Sequence, residues 1–580
     1  MTTTVLTTAS AQTATQTYQG HDAVANEVLI KFEPAAASDA AGQAKVAADM
    51  QQAQVSANID VAQDVGSAGW KRFHSASYDV TTLMSMLTGA SSVAYVEPNW
   101  IYRIAKIPND PDFIDEWGMY NTGQSINGVN GTPGADIGAT SAWSITTGTR
   151  SVLIGLVDTG IEYTHADLQG NVWSAPAQYS FMQGSTQHTC ATGTHGWNTL
   201  TNACDPNDDN GHGTGIAGIL GAVGNNAIGV AGVNWTTTII TAKDCDATGS
   251  CTTSNIINAY QYMEGVKWYF GGRSGSANIR VLNNSYGGGA YSQAWYDEIE
   301  NVYSADMLFA AGAGNSGTDN DTTPFYPASF AVGNIISTAA TDNEDRLACN
   351  SCNPTDGFNS NYGPKSVHLG APGVYEDTTW TGAFGYNWFS GTSAATPFVA
   401  GTGALTLSEC LGGTDWLVSN IKNGVVATTA LTGTTIWGGR VNAYNSVLAA
   451  SQHCPGTGDG LMAGNEQSRL WDGQEISDTG TVSITINGDT KTYNYGEWDN
   501  AYSIANMLKE AINTDSNYPV TAYLSYSNLS YSYDYLMFSA KTTGSGTCYT
   551  VSSSYTYNTT YFTQPSFKFS PNQGSLSGCK

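Results

Sequence analysis

Between about Pro108 and Cys454 the chain alternates short apolar runs with helical stretches. "VLIGLVD", "TIITAKD", "VLNNSYG" and "MLFAAGAGN" are apolar and end in small or polar residues. "GTGIAGILGAV", "TSNIINAYQYMEGVKWYF" and "AWYDEIENVYSA" lie between them. That order predicts an α/β domain, a mainly parallel sheet with helices on both faces. Such sheets collect their chemistry at the carboxyl ends of the strands. Asp158, Ser285 and Asn315 all fall at such ends.

With 580 residues the chain is long enough for several domains. A Thr/Ala-rich start, residues 1–25, reads as a disordered tail or the remnant of a secretion signal, with Ala9-Ser10-Ala11 at its end. Residues 26–106 read as a small α+β unit, since "EVLIKF" and "SVAYVEPNWIYRI" alternate like strands around an Ala/Gln-rich helix. Residues 107–454 form the α/β domain and 455–470, glycine-rich, a linker. Residues 471–580 read as a small β-rich accessory domain, with a hairpin about Asn487-Gly488 and Tyr-rich strands.

Acids outnumber bases 48 to 21, a net charge of −27. Such a surface repels phosphate backbones, which excludes nucleic acid, and it favours bound cations, calcium above all. The ten cysteines fall into near neighbours: Cys190 with Cys204, Cys245 with Cys251, Cys349 with Cys352, Cys410 with Cys454 and Cys548 with Cys579. Disulfides would imply an oxidising compartment, and "CNSC" leaves a metal site open. No apolar run reaches the roughly 18 residues of a membrane helix.

Three segments carry the chemistry. "GLVDTGIEYTHADL" ends a buried strand in Asp158, a charge that burial makes costly unless it is partnered. "NDDNGHGTGIAGI" places His212 at a Gly-rich helix start, and "SGTSAATPFVAG" places Ser393 at another, with Pro397 expected in its first turn. An acid, an imidazole and a hydroxyl at element ends are the parts of a nucleophilic triad. Their order, Asp, His, Ser, is wrong for an esterase with a G-x-S-x-G elbow, which runs Ser, acid, His.

The three motifs, over roughly residues 27 to 450, resemble those of the subtilisin-like serine proteases. The resemblance implies a secreted, monomeric endopeptidase of three layers, with Asp158 orienting, His212 as base and Ser393 as nucleophile. "AAGAGNSG" resembles the family's asparagine motif and implies Asn315 as oxyanion donor. The same comparison implies a substrate-binding surface of Ser285, Tyr286, Gly287 and Gly288, with Gly312, Ala313 and Gly314. Phe325, in "TPFYPAS", falls at the base of the pocket for the residue before the cut, where its ring would favour small side chains. "NDPDFIDEWGM", "HADL" and "GNNAIGV" resemble the segments of a calcium site. They imply Asp110, Asp167 and Asn226 as side-chain ligands and Val223, Ile228 and Val230 as carbonyl ligands. The 26–106 unit resembles an inhibitory propeptide, which implies self-cleavage between about Arg103 and Pro108. Two positions depart from the family: Gly215 stands where His is common, and Ala394 where Met is common. A catalytically dead binding member is the rival reading, opposed by the filled triad positions.

Overall fold

A computed structural model describes residues 15–18, 21–33, 39–101, 105–270, 276–383, 385–455, 457–464, 468–471, 474–496, 499, 501–524, 533–542, 545–560, 562, 565–571 and 575–576. The chain divides into two units, Met1–Ile104 and Ala105–Lys580.

The larger unit is built on a nine-stranded sheet. Its central strands, Thr238–Lys243, Leu153–Asp158, Ile279–Asn284, Leu308–Gly312 and Ile335–Thr341, lie side by side in that order and are parallel. They are buried almost throughout, as a sheet covered on both faces requires. Only the edge pair Val426–Ala427 and Gly439–Arg440 is antiparallel. Helices Thr253–Tyr269 and Gln293–Ser304 start on hydroxyl caps, Thr252 and Ser292, that accept from Asn255 N and Trp295 N.

The helix Thr392–Glu409 is buried on nearly every side. Its small residues are what admit its neighbours: a Cβ on Gly401 would lie 2.8 Å from Val233 Cβ, and one on Gly403 2.8 Å from Leu308 Cδ2. Pro397 is not in the first turn as expected but is the sixth residue of this helix. Its missing N–H would orphan the Ser393 carbonyl one turn back. The Ser285 hydroxyl takes that carbonyl instead, at 3.0 Å.

Four expected cysteine pairs are disulfides: Cys190–Cys204, Cys245–Cys251, Cys349–Cys352 and Cys410–Cys454. Cys579 lies outside the described residues. "CNSC" is therefore a disulfide and not half of a metal site.

Two boundaries differ from the sequence reading. Thr457–Gly464, expected in a linker, is a strand paired on both edges, with Tyr533–Ala540 and Phe567–Pro571. Glycine disguised it, but a strand paired on both sides satisfies its backbone whatever its side chains. The block that follows has the hairpin expected at Asn487-Gly488, both at positive φ, and a helix Ala501–Asn513 burying Ile504, Leu508 and Ile512. It packs on the α/β core: Tyr523 donates to Asp415 Oδ2 at 2.9 Å, and Tyr523 and Met537 join the apolar cluster of Ile299 and Phe309.

In the smaller unit, two helices, Ala40–Ser56 and Val80–Leu87, accompany an antiparallel sheet with Val28, Ile30, Phe73, Leu83 and Leu87 in its core. Part of the expected tail is ordered. Thr15–Tyr18 pairs with the first residues of His21–Phe32, and Tyr18 packs against Trp100 with ring centroids 6.3 Å apart.

Between helices Thr253–Tyr269 and Gln293–Ser304 two carboxyls are buried, Glu264 and Glu298, each with one oxygen that has no hydrogen bond among the described residues. Burial pushes the Glu298 carboxyl up to about 7, and burial together with Glu298 raises Glu264 further. A carboxyl raised in the fold stabilises below its unfolded value near 4.5, and that stability is lost as pH rises through about 7. Glu298→Gln should therefore remove part of the loss of stability between pH 5 and 8. The expected effect is on the order of 2 kcal/mol, read by chemical denaturation at both pH values. An unchanged pH dependence would contradict it.

Candidate active site

Asp158 closes the strand Leu153–Asp158 and is only 1% exposed. Its Oδ1 accepts from His212 Nδ1 and from Thr159 N, both at 2.7 Å. His212 opens the helix His212–Gly221. Asp208 organises that helix start, accepting from Asn210 N, Gly211 N, Thr214 N and the Thr214 hydroxyl. Burial opposes the Asp208 charge, yet these donors hold its carboxyl below the ordinary range. The Thr159 hydroxyl joins strand to helix: it donates to Asp208 at 2.9 Å and accepts from Gly213 N at 2.9 Å. Close approach here demands glycine, since a Cβ on Gly213 would lie 2.1 Å from Gly160 O.

Burial works against a charged His212, but the charge and hydrogen bond of Asp158 outweigh it and hold the imidazole above its ordinary range. The Phe389 ring meets His212 edge-on, with centroids 5.3 Å apart, and Trp380 lies 5.7 Å behind Phe389. Trp380 accounts for Gly215. A Cβ at Gly215 would come within 2.8 Å of its indole, and one at Gly211 within 2.6 Å. The indole occupies the space that a larger residue after "HGT" would need.

Ser393 is the second residue of its helix. Its hydroxyl donates to Ser285 O at 2.9 Å, while Ser285 Oγ donates back to Ser393 O. Among the described residues it makes no hydrogen bond to His212. The structure thus joins Asp158 to His212 and Ser393 to Ser285.

Asn315 is exposed three residues beyond the strand Leu308–Gly312. Its Oδ1 accepts from Thr392 N at 2.8 Å and from the Thr392 hydroxyl at 3.0 Å, which fixes the amide and leaves Nδ2 outward. Thr392 Oγ1 in turn accepts from Gly314 N. A Cβ added at Gly391, where φ is +140°, would sit 3.4 Å from Asn315 Nδ2 and 3.5 Å from Ser393 N. Two N–H donors therefore border one small space that only glycine leaves open.

Ser285–Gly288 follows the strand Ile279–Asn284. Gly288 and Tyr326 exchange backbone hydrogen bonds of 2.8 and 2.6 Å. Phe325 is wedged between the Ser285–Gly288 and Gly312–Gly314 segments. A Cβ on Gly287 would meet Phe325 Cε1 at 2.5 Å, and one on Gly314 its Cδ2 at 3.2 Å. Ala313 is buried, and its N–H pairs with Thr338 O at 2.9 Å. Tyr286 turns its hydroxyl inward, toward Tyr260 and Asn284.

Asp110, Asp167 and Asn226 also converge. Asp110 accepts from Asn225 N and Asn226 N at 2.6 and 3.1 Å. Asp167 accepts from Asn226 Nδ2 at 2.7 Å, from Val230 N at 3.0 Å and from the Tyr386 hydroxyl at 3.3 Å. Burial, with the Asp110 charge, pushes the Asp167 carboxyl up to about 6. Among the described residues no cationic side chain bonds either acid, and the carbonyls of Val223, Ile228 and Val230 accept no hydrogen bond. Two buried acids, an amide and free carbonyls are a donor set that fits a hard cation such as calcium.

Thr159, Asp208, Trp380 and Phe389 escaped the sequence reading, and Thr392 was legible there only as a cap or packing group. Only Asp208, four residues before His212 in a run of cap-forming residues, carried a local signal.

Residues 149–453 match the Subtilase family. The chain is 31% identical over 370 residues to a thermophilic serine proteinase of Bacillus sp. (strain AK1), covering 64% of this chain and 76% of that protein. It is 32% identical over 314 residues to thermitase of Thermoactinomyces vulgaris, covering 54% of this chain and 93% of that protein. A solved structure of proteases from Pseudoalteromonas arctica overlays with a TM-score of 0.45 at 25% identity, over 59% of this chain and 99% of that one.

Proposed function

The chain belongs to the Subtilase family and is a serine endopeptidase, and on that premise we propose which of its residues hydrolyse the peptide bond. Ser393 is the nucleophile, His212 the general base and Asp158 the acid that orients the imidazole and stabilises its charge. The observation that carries this reading is the part-buried Asp158–His212 hydrogen bond, together with the Asn315 Nδ2 and Ser393 N groups that border one space at Gly391.

The Ser393 hydroxyl turns from Ser285 O toward His212 Nε2, a rotation about one side-chain bond. Catalytic contacts are often loose before substrate binds. Oγ then attacks the scissile carbonyl carbon as its proton passes to Nε2. The carbonyl oxygen, now an oxyanion, receives hydrogen bonds from Asn315 Nδ2 and Ser393 N–H. The intermediate collapses, and His212 gives its proton to the leaving amine. Water repeats the sequence on the acyl-enzyme and frees Ser393.

An extended peptide pairs with the edge at Ser285–Gly287, since Gly288 already exchanges both its backbone bonds with Tyr326, so affinity comes from backbone bonds. Phe325 fills the space between that strand and Gly312–Gly314, which leaves room for a small residue before the cut. A structural calcium ion is held by Asp110, Asp167, Asn226 and the carbonyls of Val223, Ile228 and Val230, and it neutralises the two acids. Residues 26–106 act as an inhibitory propeptide that the mature domain, 107–454, removes by cutting between about Arg103 and Pro108. Residues 102–104 of that stretch lie outside the described residues. The four disulfides suit an extracellular compartment.

A fluorophosphonate probe should label the wild type and not Ser393→Ala, and the variant should keep its first 100 or so residues attached. Equal labelling would refute the nucleophile, and equal processing would refute self-cleavage. Phe325→Gly should shift a peptide library from Ala toward Phe or Leu before the cut by about tenfold or more in kcat/KM. A wild type already preferring Phe or Arg there would sink that assignment. Chelation should lower the Tm of the wild type but leave Asp167→Asn, already weakened, nearly unmoved. A chelator without effect on either protein would remove calcium from the reading.

A further inference from the structure

Beneath Ser285–Gly288 runs a buried polar chain that the hydrolytic residues do not use. Trp295 Nε1 lies 3.2 Å from the Tyr260 hydroxyl, which lies 3.2 Å from the Tyr286 hydroxyl. Tyr286 in turn hydrogen-bonds the Asp244 carboxyl and, at 3.3 Å, Asn284 Oδ1. The first member sets the direction. An indole nitrogen only donates, so the Tyr260 oxygen accepts from it. Among the described residues the Tyr260 proton has no acceptor but Tyr286, and the Tyr286 proton then goes on to Asn284 and Asp244. Asp244 thus accepts on the side facing Tyr286.

Asp244 is fully buried one residue beyond the strand Thr238–Lys243, and its N–H donates to the Asp158 carbonyl at 3.0 Å. Among the described residues its Oδ2 has no hydrogen-bond partner, and neither does Asp158 Oδ2. The remaining charged groups around the pair are accounted for. Lys243 Nζ is held by Thr159 O, Asp209 and Cys245 O. Asp208 is held by its own donors at the helix start, and His212 by Asp158. Two ionised carboxylates would be like charges buried together, with no cation among the described residues hydrogen-bonded to either free oxygen. Asp158 has His212 and Thr159 N to support its charge, whereas Asp244 has the Tyr286 hydroxyl, its own N–H and the charge of Lys243, and burial outweighs all three. Burial and the Asp158 charge push the Asp244 carboxyl well above its usual range.

We propose that Asp244 is a positioning residue, a neutral carboxyl whose proton points toward the free oxygen of Asp158 and ties the acid behind His212 to the tyrosine of the substrate strand. The proposal rests on the assignment of Asp158, His212 and Ser393 above. A donor at Oδ2 steadies Asp158 and tempers its pull on His212. Without that donor the carboxylate becomes more basic and His212 holds its proton to higher pH.

The test compares pH profiles of kcat/KM for the wild type, Asp244→Val and Asp244→Asn, with enzyme concentrations set by fluorophosphonate titration. Val keeps the volume and removes the donor. It should lower kcat about tenfold with KM little changed, and move the acidic limb up by about half a pH unit. Asn keeps an acceptor for Tyr286 and a donor for Asp158, so it should rescue both effects. If Asn moves the limb down, the wild-type group was charged and the proposal is overturned. It is also overturned if Val and the wild type coincide. Should Val fail to fold by circular dichroism, the limb of the Asn variant decides alone. Ser393→Ala separates the two layers: turnover retained there breaks the assignment of the site, whereas a dead Ser393→Ala with a shifted Asn limb breaks this proposal only.

Discussion

Burying the Asp158 charge is the constraint around which the larger unit is organised. The carboxylate lies buried at the carboxyl end of an interior strand of a parallel sheet, where an unpartnered charge would be prohibitive. His212 Nδ1 and Thr159 N supply its hydrogen bonds, and each must be brought there by something else. The helix start that delivers His212 is held by Asp208, and Asp208 is held to the strand by Thr159. Gly213 is the steric condition for bringing the helix and the strand end this close, while Gly160 admits the Pro206–Asn207 backbone and Gly211 the Trp380 indole.

Around Ser393 the same economy appears in neutral form. Pro397 breaks one bond of the helix, and the carbonyl it frees is taken by the Ser285 hydroxyl. Thr392 fixes the Asn315 amide by one oxygen and so turns its nitrogen outward. Each group that faces the cleft is oriented by a neighbour that does not. The acid-rich composition recurs in the interior as well. Asp110 with Asp167, Glu264 with Glu298 and Asp158 with Asp244 are all buried carboxyl pairs. Such pairs are tolerated by a cation, by a shared proton, or by one member staying neutral.

The parallel order of the sheet was legible because strand and helix periods alternate for more than 300 residues. The Asn487-Gly488 turn and four cysteine pairs were legible for local reasons, a positive-φ turn and short spacing. Thr457–Gly464 was not, since a glycine-rich strand has no side-chain period to read. Nor was Thr15–Tyr18, four residues whose register is set by the strand after it. Motif spacing singled out Asp158, His212, Ser393 and Asn315, but not their supports. Trp380 lies against Gly215, 165 positions away, and Thr378 and Thr379 hydrogen-bond the carbonyls of Gly215 and Thr214 over similar separations. Contacts of that range leave no periodic trace in the chain.

The docking of Tyr523 and Met537 onto the α/β core changes what counts as an end of that domain. The sequence suggests a cut after Cys454, yet burial continues across it. Asp415 accepts from Tyr523 on one oxygen and from Tyr303 on the other, so one carboxylate staples the two blocks. A protein trimmed at Cys454 would expose apolar surface beside Ile299 and leave Asp415 half-served. Tyr523 and Met537 are thus part of the wall of the enzyme's core, and shortening the gene there would trade a clean boundary on paper for a raw face in solution.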